Sequence, residues 1–369
     1  MKVAYLFGSL NRGGLETLML DVCQNICKED FNAIAFYRKG GALEQDFIKT
    51  GVPFVYLPVS KNIFKYLYKL RKSIISNKTD IVHAQQPIDA IFAQLACVGT
   101  KVKVVLTFHR FDYNDNKAII KYIIRRTDKN IFVSNYQRQY YNEKYRLNNS
   151  KQNIIYNGIN FDKLKNIDNN QSIPLREELK LPHSTLLFGM VGNFNIGRDQ
   201  MTVCRFLKLL NAHNIDFHFI FIGKKVENEP YRYDHCVEFC QTNELSHTVS
   251  FLGVRNDVPQ ILNQLDAFVY ATDHDTFGIA VVEAIASSTP VFVNDWAVMK
   301  EITQEGKLAM LYKTKDENDL LEKFILFLQN KKNIKKQAEE NARIVREQYS
   351  IKKHIENTKL LYKKLIDKP

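Results

Sequence analysis

A chain of 369 residues, 45% of them hydrophobic and 25% charged, is globular rather than disordered, and it is long enough for two domains of roughly 150 to 200 residues. No apolar run approaches the ~18 residues of a membrane span, and the opening stretch reads as a strand rather than a signal peptide, so a cytoplasmic protein is expected. The net charge of +12 sits entirely in the first part: residues 1–160 carry 24 Lys and Arg against 12 Asp and Glu, while residues 161–369 carry 28 of each. A basic half beside a neutral one suits a polyanion, either nucleic acid or an anionic membrane surface. Two of the cysteine pairings, Cys23 with Cys27 and Cys236 with Cys240, are four apart, as core residues on a helix face would be in a reducing compartment. A zinc site would need closer spacing and more ligands.

In chain order, Lys2–Phe7 reads as a buried strand, followed by a glycine-rich turn, Gly8–Gly14, and a helix from Leu15 to about Lys28. Gly8, Gly13 and Gly14 do not fit G-x-G-x-x-G, which argues against a dinucleotide-binding domain. Gly13 and Gly14 either make a plain tight turn or let the backbone approach a ligand closely. Strand and helix patterns then alternate through Asn32–Tyr37, Val52–Leu57, Ile81–Ala84 and Val102–Thr107, which predicts a parallel sheet covered on both faces. The helix within Lys61–Ile75 interleaves Lys and Arg with Phe, Tyr, Leu and Ile, and Lys117–Arg126 repeats that composition. Each is either an amphipathic helix packed on the sheet or an interfacial membrane helix; in the first helix, Phe64, Tyr66, Leu67 and Tyr68 would be the apolar contacts. His109 follows an apolar strand, at the carboxyl end where open α/β sheets keep their sites.

Phe161–Thr185 loses periodicity and gathers Asn, Asp, Lys, Pro and Ser, as a linker would. A second alternation begins at Leu186–Val191 and continues through Phe217–Ile222, Val249–Leu252, Ala267–Tyr270 and Pro290–Val293, so two doubly wound domains are predicted. The segment Ala271–Pro290 is a strand end, a polar loop and a helix start. The amides of Thr276, Phe277, Gly278 and Ile279, with the positive end of the helix dipole, suit a phosphate. Asp275 stands at the mouth and Glu283 two turns along, so two carboxylates flank one anion site, unless they only cap the helix and face solvent.

Asp275-Thr276-Phe277-Gly278 with Glu283-Ala284 resembles the acidic-x7-Glu signature of retaining, GT-B-type glycosyltransferases of the GT4 class, usually Glu-Gly-Phe-Gly and a later Glu-Ala. Ser288-Thr289-Pro290-Val291 stands where that family has Gly-x-Pro-Val. Asp replaces the first Glu, and Thr276 and Ser288 replace glycines. Asn11–Glu16 is similar to the family's Gly-Gly-x-Glu segment, and Ile155–Asn160 to its Asn-Gly-Ile/Val-Asp segment. Gly192-Asn193-Phe194 with Arg198 occupies the place of Gly-Arg-Leu followed by a Lys five residues after the Arg. Arg198 keeps the charge; Asn193 loses a charge-assisted contact of ~1.5 to 3 kcal/mol unless Arg12 or Arg255 compensates.

The resemblance implies two Rossmann-like domains facing across a cleft: residues 1–165 on the acceptor side, 166–350 binding the nucleotide sugar, and a last helix, about 351–369, returning to the first. It implies transfer of a hexosyl group from a nucleotide diphosphate sugar to an acceptor hydroxyl, with retention, in bacterial surface polysaccharide or glycolipid assembly. In that reading Arg198 and the amides of 276–279 stabilise the leaving group, Glu283 holds the ribose, and Asp275 and His109 meet the donor sugar. Gly13, Gly14, Asn193 and Val254 complete the donor site. No metal is expected, although Asp273-His274-Asp275 mimics the Asp-x-Asp motif of the other, single-domain glycosyltransferase fold. The expected partners are the nucleotide sugar, a lipid-linked or glycan acceptor, and an anionic inner membrane face touched peripherally by the basic half, rather than nucleic acid. A nucleotide-sugar epimerase of the same architecture and a catalytically impaired nucleotide-sugar binder are the alternatives.

Overall fold

The computed structural model describes residues 1–26, 30–59, 61–112, 116–147, 149–165 and 174–367; Cys27 and the middle of the expected linker, 166–173, lie outside the described residues. The chain forms two compact units, Met1–Asn160 with Tyr349–Pro369, and Phe161–Gln348. The resemblance implies a division at 165/166. It falls earlier because Leu164 is buried and its carbonyl accepts from Asn263 Nδ2 (3.3 Å), well inside the second unit.

The first unit runs β1 (Lys2–Phe7), α1 (Gly14–Asn25), β2 (Asn32–Tyr37), α2 (Glu44–Ile48), β3 (Phe54–Tyr56), α3 (Ile63–Ser76) and β4 (Ile81–Ala84). It continues through α4 (Pro87–Ala96), β5 (Lys103–Phe108), α5 (Lys117–Arg126), β6 (Lys129–Phe132), α6 (Asn135–Tyr145) and β7 (Gln152–Ile154). The strands pair in parallel in the order β3-β2-β1-β4-β5-β6-β7. Alternate residues of β1 serve opposite layers: Val3, Tyr5 and Phe7 pack toward α1, whereas Ala4 and Leu6 pack toward α3 and α4. Polar caps start the helices where the apolar pattern begins, with Asn62 Oδ1 accepting from Lys65 N and Asn116 Oδ1 from Ala118 N and Ile119 N.

In the second unit the order is α7 (Asp162–Lys165), α8 (Leu175–Glu178), β8 (Leu186–Val191), α9 (Gln200–Ala212), β9 (Phe217–Ile222), α10 (Pro230–Thr242) and β10 (Val249–Phe251). Then follow α11 (Val258–Leu262), β11 (Ala267–Tyr270), α12 (Ile279–Ala286), β12 (Val291–Asn294), α13 (Ala297–Ile302), β13 (Met310–Tyr312), α14 (Glu317–Gln329) and α15 (Lys331–Gln348). Its sheet is also parallel, ordered β10-β9-β8-β11-β12-β13. In each sheet the order reverses beside the first strand, between β1 and β4 and between β8 and β11. The connections leave those neighbouring strands toward opposite faces, which opens a crevice at their carboxyl ends.

The chain re-enters the first unit at Tyr349, whose carbonyl accepts from Ile159 N (2.8 Å), while Ile351 N donates to Ile159 O (2.9 Å). The last helix, α16 (Ile351–Ile366), is capped by Ser350 and buries Ile355, Leu361, Tyr362 and Leu365 in the core beside α1. Residues 349–369 add six Lys against Glu356 and Asp367, so the first unit holds 30 basic and 14 acidic side chains and the second 22 and 26. The described cysteines are free and buried, with Cys204 and Cys240 Sγ atoms 3.9 Å apart between α9 and α10. No helix of the described residues is long and apolar enough to cross a membrane.

Candidate active site

In the second unit, two loops leave the carboxyl ends of β8 and β11 on either side of the reversal and are stitched together. Asp199 N donates to Ala271 O (3.1 Å), Asp273 N to Gly197 O (3.2 Å) and the Thr272 hydroxyl to Gly197 O (2.6 Å). Asn294, at the end of β12, fixes Thr272 from the other side, accepting from its amide (2.9 Å) and donating to its carbonyl (2.7 Å). On this scaffold Arg198 Nη1 lies 2.5 Å from Asp275 Oδ1, its guanidinium stands over the Tyr270 ring at 5.2 Å, and Tyr270 donates to Asp275 Oδ2 (2.6 Å). Trp296 Nε1 donates to the Asp275 carbonyl (3.3 Å). Burial pulls the Arg198 pKa down, but the Asp275 carboxylate and Tyr270 outweigh it, and the net shift is upward. Arg198 is therefore a fixed cation, with Nε buried and unpartnered among the described residues.

The start of α12 is as constrained. Gly278 has φ +84°, and a Cβ there would meet Met299 Cε at 2.7 Å, so a left-handed glycine is required to turn the loop into the helix. Phe277 is buried beneath the turn, Thr276 and Ile279 are half-buried, and Glu283 lies half-buried along the helix.

The first unit has its own concavity at the carboxyl ends of β1, β4 and β5, a pocket of about 710 Å³ whose polar end includes Gly14, Glu16, Gln85, His109 and Arg110. Gln85 follows β4. Its Oε1 lies 3.0 Å from His109 Nε2, and because an amide oxygen only accepts, Nε2 carries the proton. Burial, with a smaller contribution from His354, lowers the His109 pKa to about 3, so the ring is neutral. Glu16 is pushed upward by burial. Behind them His83 is enclosed between Tyr362 (2.5 Å) and Thr107 (2.7 Å) and is likewise lowered by burial to about 3.

Residues 12–163 match the family profile described as Glycosyltransferase Family 4, and residues 172–345 the one described as Glycosyl transferases group 1. The chain belongs to the GT4-type, group 1 glycosyltransferases. It is similar to an uncharacterized glycosyltransferase of Methanocaldococcus jannaschii, at 28% identity over 321 residues covering 81% of this chain and 80% of that one. It is 23% identical over 301 residues, 76% of each chain, to the Escherichia coli UDP-Gal:alpha-D-GlcNAc-diphosphoundecaprenol alpha-1,3-galactosyltransferase. Its fold matches a crystal structure of Anabaena HepE in complex with UDP at a TM-score of 0.86 and 15% identity, covering 99% of this chain and 100% of that one. The glycosyltransferase thus has the GT-B type of α/β fold, with two Rossmann-like sheets.

Several residues singled out from the sequence do something more specific in the glycosyltransferase than was read. Asn193 is exposed, and its Oδ1 accepts from Lys224 N (3.0 Å), clipping the loop after β8 to the loop after β9. Arg255 does not replace the missing cation, because its guanidinium is shared between Glu178 (2.7 and 2.9 Å) and Asp257 (2.8 and 2.7 Å). Val254 is exposed beside Gly253. Asp275 is held at both oxygens, Oδ1 by Arg198 and Oδ2 by Tyr270. The Asp-x-Asp pair also diverges: Asp273 contacts His274 (2.7 Å) and Lys315 (3.2 Å), while Asp275 turns to Arg198. Among the described residues no group of three His, Cys, Asp or Glu is arranged to hold a metal. Gly13 and Gly14 open α1, and Gly14 borders the pocket. Sequence reasoning passed over Tyr270, Asn294, Trp296 and Gln85. Two of these, Tyr270 and Gln85, end or follow strands next to a reversal, so examining every such carboxyl end would have flagged them.

Proposed function

We propose that the enzyme transfers a glycosyl group from a UDP-sugar to the hydroxyl of a lipid-linked or glycan acceptor, with retention, in surface polysaccharide or glycolipid assembly. The observation that carries this reading is Arg198, locked as a cation by Asp275 and Tyr270 beside the start of α12. The diphosphate lies over the amides of 276–279, and Arg198 meets the negative charge that grows on the leaving phosphate as the glycosidic bond breaks. Asp275 acts through Arg198 by fixing its plane, Glu283 accepts the ribose hydroxyls, and the neutral His109 is the first unit's candidate for the donor sugar. Arg198 and the helix amides supply the positive charge, so no metal is needed. A UDP donor is favoured because HepE binds UDP and the E. coli relative is named for UDP-Gal.

The basic face of the first unit supports peripheral attachment to an anionic membrane. On α3, Phe64 and Tyr68 are 79% and 67% exposed beside Lys61, Lys65, Lys69 and Lys72, while Tyr66 is buried in the core and Leu67 is half-buried. Only two of the four apolar contacts read from the sequence therefore face outward. With about 1 kcal/mol per lysine near an anionic surface, attachment is reversible. Wild type should co-sediment with anionic vesicles and the four lysines changed to Glu should not; equal partitioning of both would remove this attachment.

The test of the main reading is incubation with a panel of UDP-, GDP- and ADP-sugars, with and without chelator. Stabilisation by UDP-sugars, and products of retained anomeric configuration formed in the presence of chelator, are expected. A sugar isomerised or released with donor alone, and no transfer to any acceptor extract, would favour the epimerase.

A further inference from the structure

We propose that the pocket of the first unit seats the hydrocarbon chain of a lipid-linked acceptor, with an anionic phosphate linker at its basic rim, rather than a free glycan. The inference rests on the glycosyltransferase reading only in calling the occupant an acceptor. The pocket has two unlike ends. At the strand end stand Glu16, Gln85 and His109; away from it the walls are Ile88 and Ile91 of α4 and Ile119 and Ile123 of α5, with Asn116 and Tyr141 as the polar side chains beside them. A glycan needs hydrogen-bonding partners along its whole length, and the isoleucine walls offer none from their side chains. A hydrocarbon chain instead removes the isoleucines from water, and the volume is within the ~300 to 1,000 Å³ common for small-molecule sites.

Two further observations fit the rest of such a molecule. Gln85 is almost wholly buried at the polar end, with its Oε1 against His109 and its Nε2 without a partner among the described residues. Arg110 borders the pocket, and α5 carries Lys117, Lys121, Arg125 and Arg126, in the unit that holds the excess of basic side chains. A hydroxyl-bearing end, an anionic linker and an apolar chain are the three chemistries supplied. Ile88 and Ile119 of the pocket wall are 41% and 49% exposed, and Leu95 of α4 and Tyr122 of α5 are exposed apolar side chains of the same two helices.

The test uses the whole chain with saturating UDP, so that the donor site is filled, and farnesyl diphosphate below its micellar concentration as probe. Farnesyl diphosphate should raise the melting temperature saturably, inorganic diphosphate at equal concentration should not, and Ile88→Asp with Ile119→Asp should weaken binding at least tenfold. Both positions are part-exposed, so the fold tolerates the change, and an unchanged response to UDP confirms it. The variant with Lys61, Lys65, Lys69 and Lys72 changed to Glu should bind the probe as wild type does. The proposal falls if inorganic diphosphate matches farnesyl diphosphate, if the double Asp variant binds normally, or if the four-lysine variant loses binding, which would mean surface adsorption. If UDP itself has no effect, the donor reading fails instead, and the comparison of the two diphosphates without UDP still judges the pocket.

Discussion

The two units share a parallel, doubly wound sheet and a crevice at the reversal of strand order, yet they furnish it with opposite chemistry. In the second unit, which carries slightly more acid than base, the crevice holds a guanidinium clamped by a carboxylate and a phenol. In the first, strongly basic unit it holds neutral histidines, an amide with an unused donor and a wall of isoleucines. Topology settles where a site opens; the side chains at the strand ends settle whether it meets charge or an apolar body. The sharpest way to break this contrast is to remove the fixed cation. Arg198→Ala should lower kcat by about a hundred- to a thousandfold, the scale of a lost transition-state donor, with a smaller change in KM. Asp275→Asn should reproduce part of that loss through misplacement of Arg198. Steady-state kinetics decide it, and a raised KM at unchanged kcat in Arg198→Ala would make the residue a binding group only.

A smaller effect is expected at Glu283, half-buried along α12. If its carboxylate accepts ribose hydroxyls, Glu283→Ala should weaken UDP binding about ten- to a hundredfold, the equivalent of one or two hydrogen bonds to a charged group, and leave the melting temperature of the free protein unchanged. Calorimetric titration with UDP checks it. Undiminished affinity would confine nucleotide recognition to the loops after β8 and β11.

What could be read from the sequence was what is local. β8, β9 and β11 occupy the stretches their apolar runs predict, Leu186–Val191, Phe217–Ile222 and Ala267–Tyr270, because a strand buried on both faces is a continuous apolar word. The three-residue β13, Met310–Tyr312, gave too short a word to notice, and β3 is shorter than the run Val52–Leu57 suggested. The strand-loop-helix after β11 was legible, since its turn, glycine and helix start are consecutive. The contact of Arg198 with Asp275 was not, because 77 positions separate them and only the pairing of β8 with β11 brings their loops together. For the same reason Ile88 and Ile119 read as ordinary helix-face residues. Their roles depend on two helices leaving a gap, which no single periodicity records. Tyr66 and Tyr68 also look alike in sequence, and the rotation of α3 on the sheet sends one into the core and the other to solvent.

The contrast between the units should show finally in acid. His83 and His109 are lowered by burial to about 3, against about 6.5 in an unfolded chain, and His354 is lowered from the same cause. They face one another and the phenols of Tyr5 and Tyr362, with no carboxylate bonded to the His83 ring to hold a proton. Below pH 6.5 the unfolded chain binds protons that the folded unit refuses, so stability is complete above that pH and declines as pH falls toward 3. Each such histidine gives a slope of up to about 1.4 kcal/mol per pH unit. In the second unit burial raises the pKa of Asp266, but Lys335, the Leu187 amide and Lys331 outweigh it, so this carboxylate's contribution is lost only below the ordinary aspartate value near 3.8. His218 there is lowered as well, a single such group against the first unit's three, so the second unit has the gentler slope in the same window. Hydrogen exchange followed from pH 7 to 4 should therefore show the core strands of the first unit losing protection before those of the second. His83→Gln, which keeps a neutral donor and acceptor between Tyr362 and Thr107, should flatten the first unit's decline. Equal loss in both units, or a variant as acid-sensitive as the wild type, would show that the buried histidines do not set the difference.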